Sequence, residues 1–116
     1  MEKSSNNIVI AGVGMLPVGR HWELSLRRLA AAAVRAALAD AGGLRPDAIY
    51  IGNSLAGVLS HQANLGALVT DEAGFTGIES CTFEAAGASG AAAFRAACQA
   101  VGSGFVDVAV AVGVEK

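Results

Sequence analysis

Charge is scarce in this sequence. Only 16% of its 116 residues are Asp, Glu, Lys or Arg, and the net charge is −2. Without a basic stripe or aromatics interleaved with basic residues, no nucleic-acid partner is expected. Arg27, Arg28 and Arg35 fall along one helical stretch and read as a solvated face. Cysteine is limited to Cys81 and Cys98, which form neither a disulfide framework nor a zinc pattern. Histidine is limited to His21 and His61, neither with a carboxylate or cysteine at ligand spacing, so no metal is expected. No apolar run approaches the roughly 18 residues of a membrane span. The first seven residues are polar and lack the apolar core of a signal peptide. The cytoplasm is the expected compartment.

What the chain has in quantity is small and apolar residues: 53% are hydrophobic and 15 are glycine. Two readings follow. Small residues allow helices to pack closely on a sheet, or part of the apolar surface is reserved for a partner chain. The apolar run Ile8-Val9-Ile10-Ala11 reads as a first strand, followed by Gly12-Val13-Gly14, Pro17 and Gly19. A helix is expected from Glu23 or Ser25 to about Asp40, with Leu26, Leu29, Ala30, Ala33, Val34, Ala37 and Leu38 inward. Gly42-Gly43 and Pro46 stop it. A second strand covers residues 48–51, and a weaker helix residues 62–73, with Leu65, Leu68 and Val69 inward. A third strand covers residues 80–83. A third helix covers residues 88–103, with Ala93, Phe94, Ala97, Cys98 and Val101 inward, and a fourth strand covers residues 106–114. The order β-α-β-α-β-α-β implies an α/β fold, one domain over residues 1–116, with a mainly parallel sheet and helices packed on it. Three helices leave one face or edge of such a sheet short of cover, so the chain is expected to be part of a larger unit.

Gly12-Val13-Gly14 does not complete a dinucleotide fingerprint. Pro17 stands where the third glycine belongs, and Asn53 where an acidic ribose ligand would be wanted. The glycines read as a tight turn. The stretch Phe83-Glu84-Ala85-Ala86-Gly87-Ala88-Ser89-Gly90-Ala91-Ala92-Ala93 carries more chemistry. It leaves a strand, turns on small residues and opens a helix, whose first N–H groups and dipole favour an anion or a reactive side chain. Gly87, at the tip, has no side chain. Ser89 is one residue short of a Gly-x-Ser-x-Gly elbow and reads as a residue that satisfies backbone donors. His61 heads the loop after the second strand, where open α/β sheets place ligands.

Residues 83–93 resemble the nucleophile segment of thiolases, Glu-x-Ala-Cys-Ala-Ser-Gly, with Glu84, Ala86, Ala88, Ser89 and Gly90 matching. Ile10-Ala11-Gly12-Val13-Gly14 with Pro17 and Gly19 looks like the start of a thiolase of the sterol-carrier-protein type. Tyr50-Ile51-Gly52-Asn53 and Val112-Gly113-Val114-Glu115-Lys116 look like later parts of the same N-terminal domain. The resemblance implies acyl transfer on acyl-CoA, by Claisen condensation or thiolysis of 3-ketoacyl-CoA. It implies no cofactor beyond the coenzyme A thioester that is the substrate. It also implies an oligomer with like or related thiolase-type chains, and a role in lipid metabolism.

In that alignment the family's nucleophilic cysteine falls on Gly87. Cys98 lies roughly 16 Å along the helix and Cys81 roughly 20 Å back along the strand, so neither replaces it. The remaining catalytic histidines, asparagine and second cysteine of the family have no counterpart in these 116 residues. Gly87 is therefore the vacated catalytic position, and Ala88, Ser89, Gly90 and His61 are the candidate substrate-binding residues. The expected chain is a fragment or subunit that is inactive alone. Two alternatives stand beside it: a thiolase-like retro-aldolase subunit acting on β-hydroxyacyl-CoA, and a non-catalytic subunit of a thiolase-type hetero-oligomer.

Overall fold

A computed structural model describes residues 7–116; the polar lead, residues 1–6, lies outside the described residues. Among the described residues the first regular element is helix α1, Leu26–Asp40. Ser25 caps it in an extended conformation, its hydroxyl accepting from the Arg28 N–H. Leu26, Ala30, Val34 and Leu38 recur every fourth residue and form its buried stripe. Gly42 and Gly43 end it, both at φ +82°, with Gly43 N–H donating 2.8 Å to the Leu38 carbonyl.

Strand β1, Ala48–Gly52, is buried along its whole length and occupies the centre of a parallel three-stranded sheet. It is flanked by β2, Glu79–Phe83, and β3, Ala109–Gly113, in the order β2-β1-β3. Alternate residues of β1 serve opposite faces. Ile49 and Ile51 join Val110 and Val112 beneath α1 and the helix α3, Leu65–Glu72, through Leu65 and Val69. Ala48 and Tyr50 face Ala93 and Ala97 of helix α4, Ser89–Gly102. Both faces of the sheet therefore carry helices, so neither face is bare; the shortfall of cover expected from the sequence falls at the edge strand β2, where Glu79 and Thr82 are exposed. The alanines of α4 bring that helix close to the strands.

The strand expected at residues 8–11 does not form, so among the described residues the sheet has three strands rather than four. The reason lies in the glycines that follow. A β-carbon on Gly12 would stand 2.6 Å from the Ala37 carbonyl oxygen, and one on Gly14 2.4 Å from the Ala37 nitrogen. The segment is pressed onto α1 at these points, and the Val13 N–H donates 2.9 Å to Asp40 Oδ2. These glycines serve close approach to a helix rather than a tight turn. Ile8, Val9 and Ile10 are left exposed, and a cavity of about 750 Å³ separates this stretch from β3 and the flanks of α1 and α4.

Three smaller departures have local causes. The expected second helix starts at Leu65 because His61 and Asn64 both adopt left-handed conformations, at φ 49° and 53°. A short helix, α2 (Ala56–Leu59), precedes them. Phe94 faces outward, 51% exposed. Finally, the arginines of α1 are not simply solvated. Arg28 Nε lies 3.3 Å and Arg27 Nε 3.9 Å from the Glu72 carboxylate, and Arg35 donates 3.2 Å to the Glu72 carbonyl. Cations at the end of α3 complement its dipole.

Candidate active site at the strand ends

The register brings all three strands to a level finish: Gly52 is opposite Phe83 on one side and Gly113 on the other. The residues immediately beyond are polar or lead to polar ones: Asn53-Ser54, Glu84 and Val114-Glu115. Beyond the carboxyl ends of parallel strands is where open α/β folds hold ligands. The turn singled out in the sequence stands there. Residues Ala86–Ala88 form a single 3-10 turn, and α4 opens at Ser89.

Gly52 lets the start of α4 approach. A β-carbon there would sit 2.3 Å from the Ser89 carbonyl oxygen and 2.6 Å from the Gly90 nitrogen. Ser89 is buried, accepting 2.9 Å from the Ala85 N–H and donating 2.7 Å to the Ala86 carbonyl. Its hydroxyl closes the turn internally, the backbone role read from the sequence. Gly87 and Ala88 lie exposed at the tip, with Gly90 exposed just behind. A β-carbon on Gly87 meets nothing within 4 Å, and Gly87 is not among the left-handed glycines. Neither packing nor backbone conformation demands glycine at this position.

The strain in the turn sits one residue earlier. Ala86 has φ +48°, a left-handed conformation that costs a residue with a β-carbon about 1–2 kcal/mol. Its N–H donates 2.8 Å to Glu84 Oε1, and the same oxygen accepts 3.0 Å from Ser54 Oγ. Ser54 belongs to a loop fixed by Glu115. The Glu115 carboxylate accepts from the N–H groups of Ser54 and Leu55, the latter at 3.2 Å, and from Asn53 Nδ2 at 3.1 Å. Asn53, 4% exposed, also donates 2.8 Å to the Val114 carbonyl and accepts 2.9 Å from the Ala56 N–H. Every polar atom of the Asn53 amide is thus engaged in joining β1, β3 and α2.

His61 stands apart from this group. It is exposed, and among the described residues its imidazole has no hydrogen-bond partner. His21 is held by the Pro17 carbonyl at 2.6 Å, in the loop before α1. Among the described residues no three His, Cys, Asp or Glu side chains group to hold a metal ion, and no helix is long and apolar enough to cross a membrane. From the sequence, Glu84, Asn53 and Glu115 stand out only as matches to family segments, Asn53 also as the place where an acidic ribose ligand would be wanted, and Ser54 has no role. The signal that marks them is position: each is the first or second residue past the end of a parallel strand.

Residues 8–116 match the sequence profile of the thiolase N-terminal domain. The chain is 40% identical over 112 residues to an acetyl-CoA acetyltransferase of Methanothermobacter thermautotrophicus. It is 39% identical over 112 residues to an acetyl-CoA acetyltransferase of Methanocaldococcus jannaschii. Each alignment covers 95% of this chain and 29% of the relative, so the chain spans under a third of the length of these proteins. The fold accords with this family: an α/β architecture whose parallel strands end together beneath a strained turn and a helix start. With the profile matched over nearly the entire sequence and these identities alongside it, the chain belongs to the thiolase family.

Proposed function

We propose that the chain is the N-terminal part of a thiolase-type acyl-CoA acyltransferase, a fold built for Claisen condensation or thiolysis of 3-ketoacyl-CoA, and that as it stands it is inactive on its own because the nucleophile is absent. Gly87 stands where the family carries its nucleophilic cysteine. The exposed tip of the 3-10 turn at Gly87, with free space for a side chain and the start of α4 behind it, is the observation that carries this reading. A thiol at such a place would be favoured as thiolate by the helix terminus and would take the acyl group as a thioester. Glycine forms no such bond. Ala88, Ser89 and Gly90 remain the proposed substrate-contacting residues, with His61 as a peripheral contact. The Ala88 N–H already donates 2.9 Å to the Ala85 carbonyl and the Ser89 N–H to the Ala86 carbonyl, so the Gly90 N–H is the proposed donor to a thioester carbonyl. The partners proposed are acyl-CoA and further thiolase-type chains in an oligomer. Exposed apolar side chains such as Val9, Ile10, Trp22 and Phe105 support the second. The compartment proposed is the cytoplasm, and the process lipid metabolism.

Incubation with acetyl-CoA followed by intact-mass measurement tests this. The chain as it stands is expected to gain no acetyl group, and Gly87→Cys, made in a chain carrying the rest of the enzyme, is expected to gain one. A stable acetyl adduct on Cys81 or Cys98 overturns the reading. Aldehyde release from a β-hydroxyacyl-CoA by the unsubstituted full-length protein replaces it with a retro-aldolase.

A further inference from the structure

Glu84 has no assigned part in what is proposed above, yet one of its carboxylate oxygens joins two elements. Oε1 accepts both the Ala86 N–H, at 2.8 Å, and the Ser54 hydroxyl, at 3.0 Å. The first contact lies inside the turn. The second reaches across from the end of β2 to the loop that follows β1. An exposed glutamate with no task would be free to extend into water, because ordering such a side chain costs rotamer entropy. This one folds back onto its own turn and is held there by a residue thirty positions away.

We propose that Glu84 is the positioning residue of this turn and Ser54 its anchor. Together they hold Ala86 in its left-handed conformation and so set the direction in which residue 87 points. The anchor is itself fixed. Glu115, at the end of β3, receives the N–H groups of Ser54 and Leu55 and the Asn53 amide. Asn53 in turn receives the Ala56 N–H at the start of α2. The path from the end of β3, through the loop after β1, to the turn after β2 is therefore continuous. Released from Glu84, Ala86 relaxes toward the negative φ that alanine prefers, and the tip re-aims. Neither Glu84 nor Ser54 contacts a reacting atom in this arrangement; both act through Ala86. The proposal takes from the preceding reading only that residue 87 is the reacting position.

The test uses the full-length protein carrying Gly87→Cys. The rate of iodoacetamide alkylation at position 87 is followed by peptide mass spectrometry, with Cys98 of the same chain as internal reference. Adding Glu84→Ala is expected to slow alkylation about fivefold, and adding Ser54→Ala about twofold to threefold, in line with loss of one or two ordinary hydrogen bonds. Glu84→Gln and Ser54→Thr keep an acceptor and a donor, respectively, and are expected to restore at least the starting rate. The sign separates positioning from simple electrostatics. Removing a nearby carboxylate favours the thiolate, so charge alone would make the Ala and Gln variants both faster. Equal rates in Glu84→Ala and Glu84→Gln, or a faster Glu84→Ala, overturn the proposal. If circular dichroism shows Glu84→Ala to be unfolded, the Ser54→Ala and Ser54→Thr pair decides, and equal rates in those two overturn it. Alkylation needs no acyl-CoA. A protein that fails to acetylate but shows this order of rates refutes the acyltransferase reading and leaves the positioning role standing.

Discussion

A β-carbon on Gly52 would lie 2.3 Å from the Ser89 carbonyl oxygen, whereas one on Gly87 meets nothing within 4 Å. The two glycines therefore answer differently to the same substitution. Gly52→Ala must push the first turn of α4 away from β1, and overpacking of this kind costs about 1–3 kcal/mol. Gly87→Ala, with ordinary φ and open space, is expected to change stability by less than about 0.5 kcal/mol. Urea unfolding of the two variants checks the contrast; comparable losses would mean that the turn needs glycine at its tip. Tyr50 offers a second measurement at this scale. It is 3% exposed, packed edge-to-face on Phe83 at 5.6 Å between centroids. Burial first, and then the Glu79 carboxylate, push its phenol up to about 12 from 10.0. The folded value lies above the unfolded one, so the fold resists formation of the phenolate. The stabilisation is intact below pH 10 and is lost as pH rises through about 12. Tyr50→Phe should remove that part of the alkaline decline. An identical alkaline profile in wild type and Tyr50→Phe would refute the assignment.

At the scale of elements, the start of β3 depends on one carboxylate. Asp47 Oδ2 accepts the N–H groups of Asp107 and Val108, each at 3.0 Å, and the Asp47 N–H donates 2.8 Å to the Val108 carbonyl. This clamp fixes β3 beside β1 before the ladder begins. Asp47→Ala is expected to cost about 1 kcal/mol, since the site is exposed, and Asp47→Asn less, because its amide oxygen still accepts. Equal losses in the two variants would show that charge, not acceptance, matters there. The elements themselves were largely legible in the sequence. α1 was readable from Leu26, Ala30, Val34 and Leu38, and its end from two glycines. β1 and β3 were readable as apolar runs, and the turn at Gly87 from its small residues. What could not be read was partnership. Ile8 to Ala11 has a buried strand's composition, but composition does not say which surface a segment meets. Gly12 and Gly14 commit it to α1 through contacts with Ala36, Ala37 and Ala41 that local periodicity does not encode. The links from Ser54 to Glu84 and from Asn53 to Glu115 span 30 and 62 positions, beyond any local pattern.

Taken whole, the molecule divides into a well-bound centre and a loosely held border. β1 is buried at all five residues and hydrogen-bonded on both sides, with a helical layer on each face. The stretch before α1 has the opposite character. Val9, Ile10, Val13, Met15, Val18 and Trp22 are exposed, and among the described residues the hydrogen bond that ties down residues 8 to 14 is Val13 N–H to Asp40. The 750 Å³ cavity between this stretch and β3 leaves its apolar side chains without packing on one side, where close contact would otherwise supply dispersion energy. Free energies of local opening follow such differences in burial and bonding. Amide hydrogen exchange should therefore rank the amides of Ile49 to Ile51 as the slowest and those of Ile8 to Ile10 among the fastest. Val13 should be slower than its neighbours in the segment. Asp40→Ala should remove the protection of Val13 and leave that of β1 within about twofold, because the tether lies outside both core clusters. Protection at Ile8 to Ile10 matching that of β1 would show that this segment is paired in solution as a strand, and would return the sheet to four strands.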